Sequence, residues 1–173
     1  PPPSRTPEAP TPKYHLTSRP VRIIRTAPQP EQDPRPAGAG AEKSIVYMGS
    51  FMPYKNVETM VKGMADLPGY TLHLLSRITP QRRAELEAFI PEDAAVVFHN
   101  GVTDEEYHGL LRTATALVSL SRAEGYGLPL VEAMALGTPV IASDIPIFRE
   151  VGGDAALYVD PSSPEQFAGA VHT

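Results

Sequence analysis

No cysteine occurs anywhere in the 173 residues. Disulfides, zinc–thiolate centres and cysteine nucleophiles are therefore excluded, and the absence fits a reducing cytoplasm. Long apolar runs are missing too: none approaches the roughly 20 residues of a membrane span, and no signal peptide is visible. Positive charge is in short supply. The 15 Lys and Arg residues face 20 Asp and Glu, for a net charge of −5. With no polybasic run, neither nucleic acid nor an anionic membrane is an expected partner. No Gly-x-Gly-x-x-Gly follows the first strand-like run of the compact region, which argues against a dinucleotide-dependent dehydrogenase. His15, His108 and His172 show no ligand spacing, and His73 reads as a core or half-buried strand residue, so no metal site is expected. The first residue is Pro1 rather than methionine, which suggests a piece of a longer protein.

A hydrophobic content of 42% suffices for a normal core, and the length suits one domain of ordinary size. Proline is unevenly spread: 11 of the 20 fall in residues 1–36, followed by Gly38-Ala39-Gly40-Ala41. Such a stretch cannot sustain ladders or helices. Residues 1–43 are accordingly expected to be a Pro-rich disordered or linker segment, with a short strand at Val21–Arg25, and a compact domain is expected over 44–173.

Within that domain, apolar runs alternate with helical patterns. Strands are expected at Ser44–Met48, Thr71–Leu75, Ala95–Phe98, Ala116–Leu120, Pro139–Ala142 and Ala156–Val159. Helical spacing covers residues 55–65, through Val57, Met60, Val61 and Met64, and residues 80–89, where Thr79 is placed to cap. A capping box at Thr103–Glu106 opens a third helix. A fourth runs from Leu128 to Leu136 and stops at Gly137, and a last one opens at Pro164. Asp144 with Pro146 reads as the cap of a turn. The Glu-rich stretch 82–92 reads as a solvated face. Short apolar strands alternating with helices imply an α/β fold: a Rossmann-like parallel sheet with helices on both faces. Ligands of such sheets sit beyond the carboxyl ends of the strands.

The most informative segment follows the fourth strand: Glu124-Gly125-Tyr126-Gly127-Leu128-Pro129-Leu130-Val131-Glu132. A chain that turns on glycines and enters a helix offers free backbone N–H groups, which suit a phosphate. Carboxylates on either side of that turn, Glu124 on the loop and Glu132 in the first turn of the helix, are placed to grip sugar hydroxyls. Taken singly, Glu132 need only complement the helix dipole, worth about 0.3–1 kcal/mol, and Glu124 need only be a solvated loop residue. The pair together with Gly-Tyr-Gly-Leu-Pro points to a sugar-nucleotide pocket.

Residues 124–144 resemble the signature of the retaining glycosyltransferases of family 4, which have the GT-B fold. The likeness extends over about residues 44–173, the C-terminal donor-binding domain of such enzymes. The resemblance implies transfer of a sugar, with retention, from a UDP- or GDP-sugar to an acceptor hydroxyl. In this scheme the departing phosphate assists the attacking hydroxyl, so no metal and no cofactor is required, in agreement with the lack of an Asp-x-Asp motif. It assigns Glu124 to the donor sugar, Gly127 and Leu128 to the diphosphate, Glu132 to the ribose, and Gly125 and Tyr126 to the shape of the turn.

In Gly49-Ser50-Phe51-Met52-Pro53-Tyr54-Lys55-Asn56, the resemblance assigns Lys55 to the diphosphate leaving group. Ser50 stands where many members carry arginine, which leaves Arg77 or Arg122 as candidates for the second cation. His99-Asn100-Gly101-Val102 resembles the segment lying against the base, although it reads equally well as a plain strand-to-helix turn. The acceptor site is expected in a missing N-terminal domain, so little transfer is expected from this chain alone. The resemblance also implies a cytoplasmic protein, with attachment at the inner face of the membrane left open. A degenerate, non-catalytic donor module and a sugar-nucleotide epimerase of similar fold are the other readings.

Overall fold

The computed structural model describes residues 35–39 and 42–173; the expected strand at Val21–Arg25 lies outside them. Six strands form one parallel sheet: β1 (Ser44–Tyr47), β2 (Thr71–Leu74), β3 (Ala95–Phe98), β4 (Ala116–Ser119), β5 (Val140–Ser143) and β6 (Ala156–Val159). Their spatial order is β3-β2-β1-β4-β5-β6. The direction of winding reverses between β1 and β4, where Ile45 pairs with Ala116. At such a switch point the loops leaving the two strands part and open a crevice.

The helices are α1 (Val57–Gly63), α2 (Pro80–Glu87), α3 (Asp104–Thr113), α4 (Leu128–Ala135), α5 (Pro146–Gly152) and α6 (Pro164–Val171). Successive strand side chains point to opposite faces, and two cores result. Ile45, Tyr47, Leu72 and Leu74 pack with Met60, Val61 and Phe167 of α1 and α6 on one face. Val46, Leu117 and Ala142 pack with Leu111, Leu130 and Phe148 of α3, α4 and α5 on the other. Every residue of β1, β4 and β5 is buried, as strands covered on both sides must be.

The cap chemistry read from the sequence is present. Thr79 accepts from the Arg82 amide at 3.2 Å. Thr103 and Glu106 form the reciprocal box, with the Thr103 amide donating to Glu106 Oε2 at 2.7 Å and the Glu106 amide to Thr103 Oγ1 at 3.2 Å.

Three expectations need correction. The helix expected across 55–65 is broken into a short 3-10 turn, Pro53–Lys55, and α1, because Asn56 between them is left-handed at φ 58°. The turn expected at Asp144–Pro146 is the start of α5. Asp144 does not cap it; both its carboxylate oxygens accept from Arg149, at 2.7 and 2.9 Å. This seven-residue helix is too short for propensity to hold it, and the fully buried Phe148 anchors it to the core. Finally, Arg82 does not belong to a solvated face: its Nε donates to the Phe51 carbonyl at 2.9 Å, and Nη2 pairs with Glu58.

Within the stretch expected as linker, Arg35 already engages the domain. Its guanidinium donates to the Leu111 and Ala114 carbonyls at the end of α3, at 3.2 and 2.6 Å, where a cation complements the helix dipole. Among the described residues no helix is long and apolar enough to cross a membrane.

Candidate functional site

The loop leaving β1 is built on a tyrosine. Tyr47, 1% exposed, donates its hydroxyl to the Ser50 carbonyl at 2.5 Å. A Cβ on Gly49 would stand 2.6 Å from that hydroxyl, so only glycine lets the chain pass. Burial, and then the Glu124 carboxylate, push the Tyr47 hydroxyl well above its ordinary range, so it remains a donor. The loop then turns through Pro53–Lys55 into Asn56, whose buried amide donates to Leu120 O at 2.9 Å and Pro161 O at 2.5 Å. One side chain thus ties the exits of β1, β4 and β6 together.

From the other side of the switch point, the loop leaving β4 brings Glu124 to Lys55. Lys55 Nζ lies 2.5 Å from Glu124 Oε2, with the side chains 14% and 18% exposed. Ser121, fully buried, donates to the same oxygen at 3.2 Å, and the Arg122 amide donates to the Tyr54 carbonyl at 2.8 Å. Lys55 Nζ also sits 5.4 Å from the centroid of the Tyr54 ring, close enough for a cation–π contact. Tyr54, Ala123, Glu124 and Gly125 line an open hollow here. A roomier hollow lies at the opposite, amino-terminal edge of β4–β6, between Arg35, Asp154 and His172, away from these groups.

Gly127 closes the loop and starts α4. Its φ is +67°, a conformation that favours glycine, and an added Cβ would crowd Phe148 Cε1 at 3.3 Å, so that the buried ring would have to give way. Gly125 has a negative φ and open space around it, so the turn does not need glycine there. First-turn amides have no intrahelical acceptor. Pro129 has none to give, which leaves Leu128 at the helix mouth. Glu132 is the fifth residue of α4, one position beyond the first turn expected for it, but helical side chains lean back toward the N-terminus. Its Oε2 accepts from the hydroxyl of Tyr107 on α3 at 2.8 Å. Burial, then that hydrogen bond, raise the pKa of the Tyr107 hydroxyl.

Of the residues singled out in the sequence, Lys55 and Glu124 meet directly, and Gly127, Leu128 and Glu132 follow on the same loop and helix. Ser50 and Tyr126 are exposed, Tyr126 at 79%. Val102 is half-buried against the core beyond β3, where the preceding Gly101 amide donates to the Leu75 carbonyl just past β2 at 3.0 Å. Neither candidate second cation touches the Lys55–Glu124 pair: Arg122 Nη1 donates to Ser162 at 2.9 Å, and Arg77 lies against Gly101. Sequence reasoning missed Asn56, Ser121 and Tyr107 as partners of the site. A polar residue directly after Lys55 was a usable signal for Asn56. Nothing in the sequence linked Tyr107 to Glu132.

The arrangement joins a partly desolvated ammonium, a carboxylate with spare lone pairs, and a helix mouth. Such a set accepts a ligand that carries both phosphate and hydroxyl groups.

The family model described as Glycosyl transferases group 1 matches residues 29–173. Over 133 residues the chain is 33% identical to the O-antigen chain mannosyltransferase RfbU of Salmonella typhimurium, covering 75% of this chain and 38% of RfbU. Among solved structures, Anabaena Alr3699/HepE in complex with UDP and glucose matches with a TM-score of 0.67 at 20% identity, over 76% of this chain and 38% of that one. The C-terminal domain of the group 1 family protein LpcC from Francisella tularensis matches with a TM-score of 0.65 at 25% identity, over 75% and 73% of the two chains. The chain spans well under half the length of the curated relatives it matches.

Proposed function

Since the chain belongs to the glycosyl transferases group 1 family, we propose that it is the donor-binding half of a retaining glycosyltransferase. The substrate is a nucleoside diphosphate sugar, UDP- or GDP-linked. The similarity to RfbU makes a mannosyl donor the first to test. The acceptor hydroxyl is presented by a further domain, in keeping with the share of RfbU that this chain covers.

The contact between Lys55 and Glu124 carries the reading, because it places opposite charges from two loops in one crevice at the switch point. The donor's diphosphate takes the Lys55 ammonium, and its sugar hydroxyls donate to Glu124. The Leu128 amide at the mouth of α4 meets the phosphates, and Glu132 accepts from the ribose. In transfer, the bond from the anomeric carbon to the diphosphate oxygen breaks as the acceptor oxygen bonds to the same face of that carbon. The acceptor's proton passes to the departing phosphate. The protein supplies position and compensates the growing charge on the leaving group through Lys55, with no covalent nucleophile.

Calorimetry of the 173-residue chain with UDP, GDP, UDP-glucose and GDP-mannose tests this. Binding is expected for one nucleotide series. Lys55→Ala should weaken the diphosphate by about 10-fold or more, the loss of a charge-assisted contact. Glu124→Gln should weaken the sugar conjugate more than the bare nucleotide. A folded sample that gives no heat with any of the four ends the proposal.

One observation favours a second reading, a donor-type module without catalysis. Ser50 stands where the resemblance expects a cation, and Arg122 and Arg77 are placed elsewhere. Sugar transfer by the longer protein, abolished by Lys55→Ala, excludes that reading.

A further inference from the structure

We infer that Tyr107 is a positioning residue for Glu132, and that through it the site favours ribonucleotides over 2′-deoxyribonucleotides. The inference rests on the donor-binding reading, in which Glu132 meets the ribose.

Tyr107 is 4% exposed and lies in the core formed with Leu75, Leu111 and Leu130, so its ring has little freedom. Its helix begins at the Thr103–Glu106 capping box, which fixes the register of the first turn from which Tyr107 projects. Its hydroxyl donates to Glu132 Oε2 at 2.8 Å, the strong class of hydrogen bond in which the acceptor is ionised. Burial keeps the hydroxyl protonated, so the donor is present at any working pH.

Glu132 itself is only half-buried, and a glutamate on a helix surface samples several rotamers. The buried phenol removes that freedom from one side. A carboxylate offers about four lone-pair sites; Tyr107 takes one, and Oε1 accepts nothing from the described residues. What remains is an oriented acceptor pair, suited to two adjacent hydroxyls. A ligand lacking one of them leaves part of the carboxylate desolvated and unpaired, and sites built to hydrogen-bond a hydroxyl reject its absence strongly.

The test compares the affinity of UDP with 2′-deoxy-UDP, and of GDP with 2′-deoxy-GDP, for the intact chain and for Tyr107→Phe. The intact chain should prefer the ribonucleotide by about 10-fold or more. Tyr107→Phe keeps the buried ring. It should weaken the ribonucleotide about 3- to 10-fold, less than the full worth of one hydrogen bond to a charged group because the carboxylate itself remains, and leave the deoxynucleotide nearly unchanged, so that the preference shrinks. An equal loss for both sugars, or an unaltered preference, overturns the inference while leaving the donor reading intact. Nucleotide binding absent from the intact chain overturns both. If Tyr107→Phe does not fold, 3-fluorotyrosine at position 107 serves instead. Its more acidic hydroxyl should increase the ribose preference, and a preference that stays put refutes the role.

Discussion

The side-chain amide of Asn56 donates to the carbonyl of Leu120 at 2.9 Å, although the two residues are 64 positions apart. Asn56 is left-handed at φ 58°, 5% exposed, and also donates to Pro161 O while its Oδ1 accepts from Thr59 at 2.7 Å. One residue thereby breaks a helix that local propensity favours and holds Lys55 opposite Glu124.

Asn56→Ala removes these bonds, strands buried carbonyls and forces alanine into the left-handed region. Each of these costs about 1–2 kcal/mol, so urea unfolding should show a loss of roughly 3 kcal/mol. Asn56→Gly tolerates the backbone angle and should recover about 1 kcal/mol of it. Equal midpoints for the two variants would show that backbone conformation contributes nothing here.

The two glycines flanking Tyr126 should behave differently. Gly127→Ala places a Cβ 3.3 Å from the Phe148 ring at a positive φ, and should destabilise by about 1–2 kcal/mol or more. Gly125→Ala meets open space and should stay within about 0.5 kcal/mol of the parent. Thermal or urea midpoints of the two variants decide it, and a larger effect at Gly125 contradicts the geometry.

Stability should fall on mild acidification through one histidine pair. His73 Nδ1 lies 2.9 Å from His99 Nε2. Burial first, and then the His99 charge, lower the His73 pKa from 6.5, against an opposing pull from Glu42. The unfolded chain therefore takes up this proton at a higher pH than the folded one. The contribution is complete above the unfolded value of about 6.5 and is lost as pH falls through the lower, folded value. Unfolding midpoints at pH 7.5 and 5.5 should separate less in His73→Gln than in the parent. An undiminished separation assigns the acid sensitivity to other groups.

The fold was legible because its signals are local. The β1, β4 and β5 runs are apolar but for one terminal serine each, Ser44, Ser119 and Ser143, as strands covered on both faces require. Thr79 and Thr103 announced their helices through chemistry confined to one turn. Where the reading failed, a distant partner had overridden local preference: Leu120 and Pro161 at Asn56, the buried ring of Phe148 in α5, and the Phe51 carbonyl that draws Arg82 inward.

For the site, the order of residues along the chain determined its chemical inventory. A lysine follows the first strand, two carboxylates bracket a turn, and a positive-φ glycine opens a helix, each carried by a few consecutive residues. Only the tertiary structure decided which of these meet. Lys55 and Glu124 touch because winding reverses between β1 and β4, and Glu132 is steered by a tyrosine from another helix. Residue type and short-range spacing carry propensity and charge, but long-range partners are selected by packing, which no short window of sequence contains.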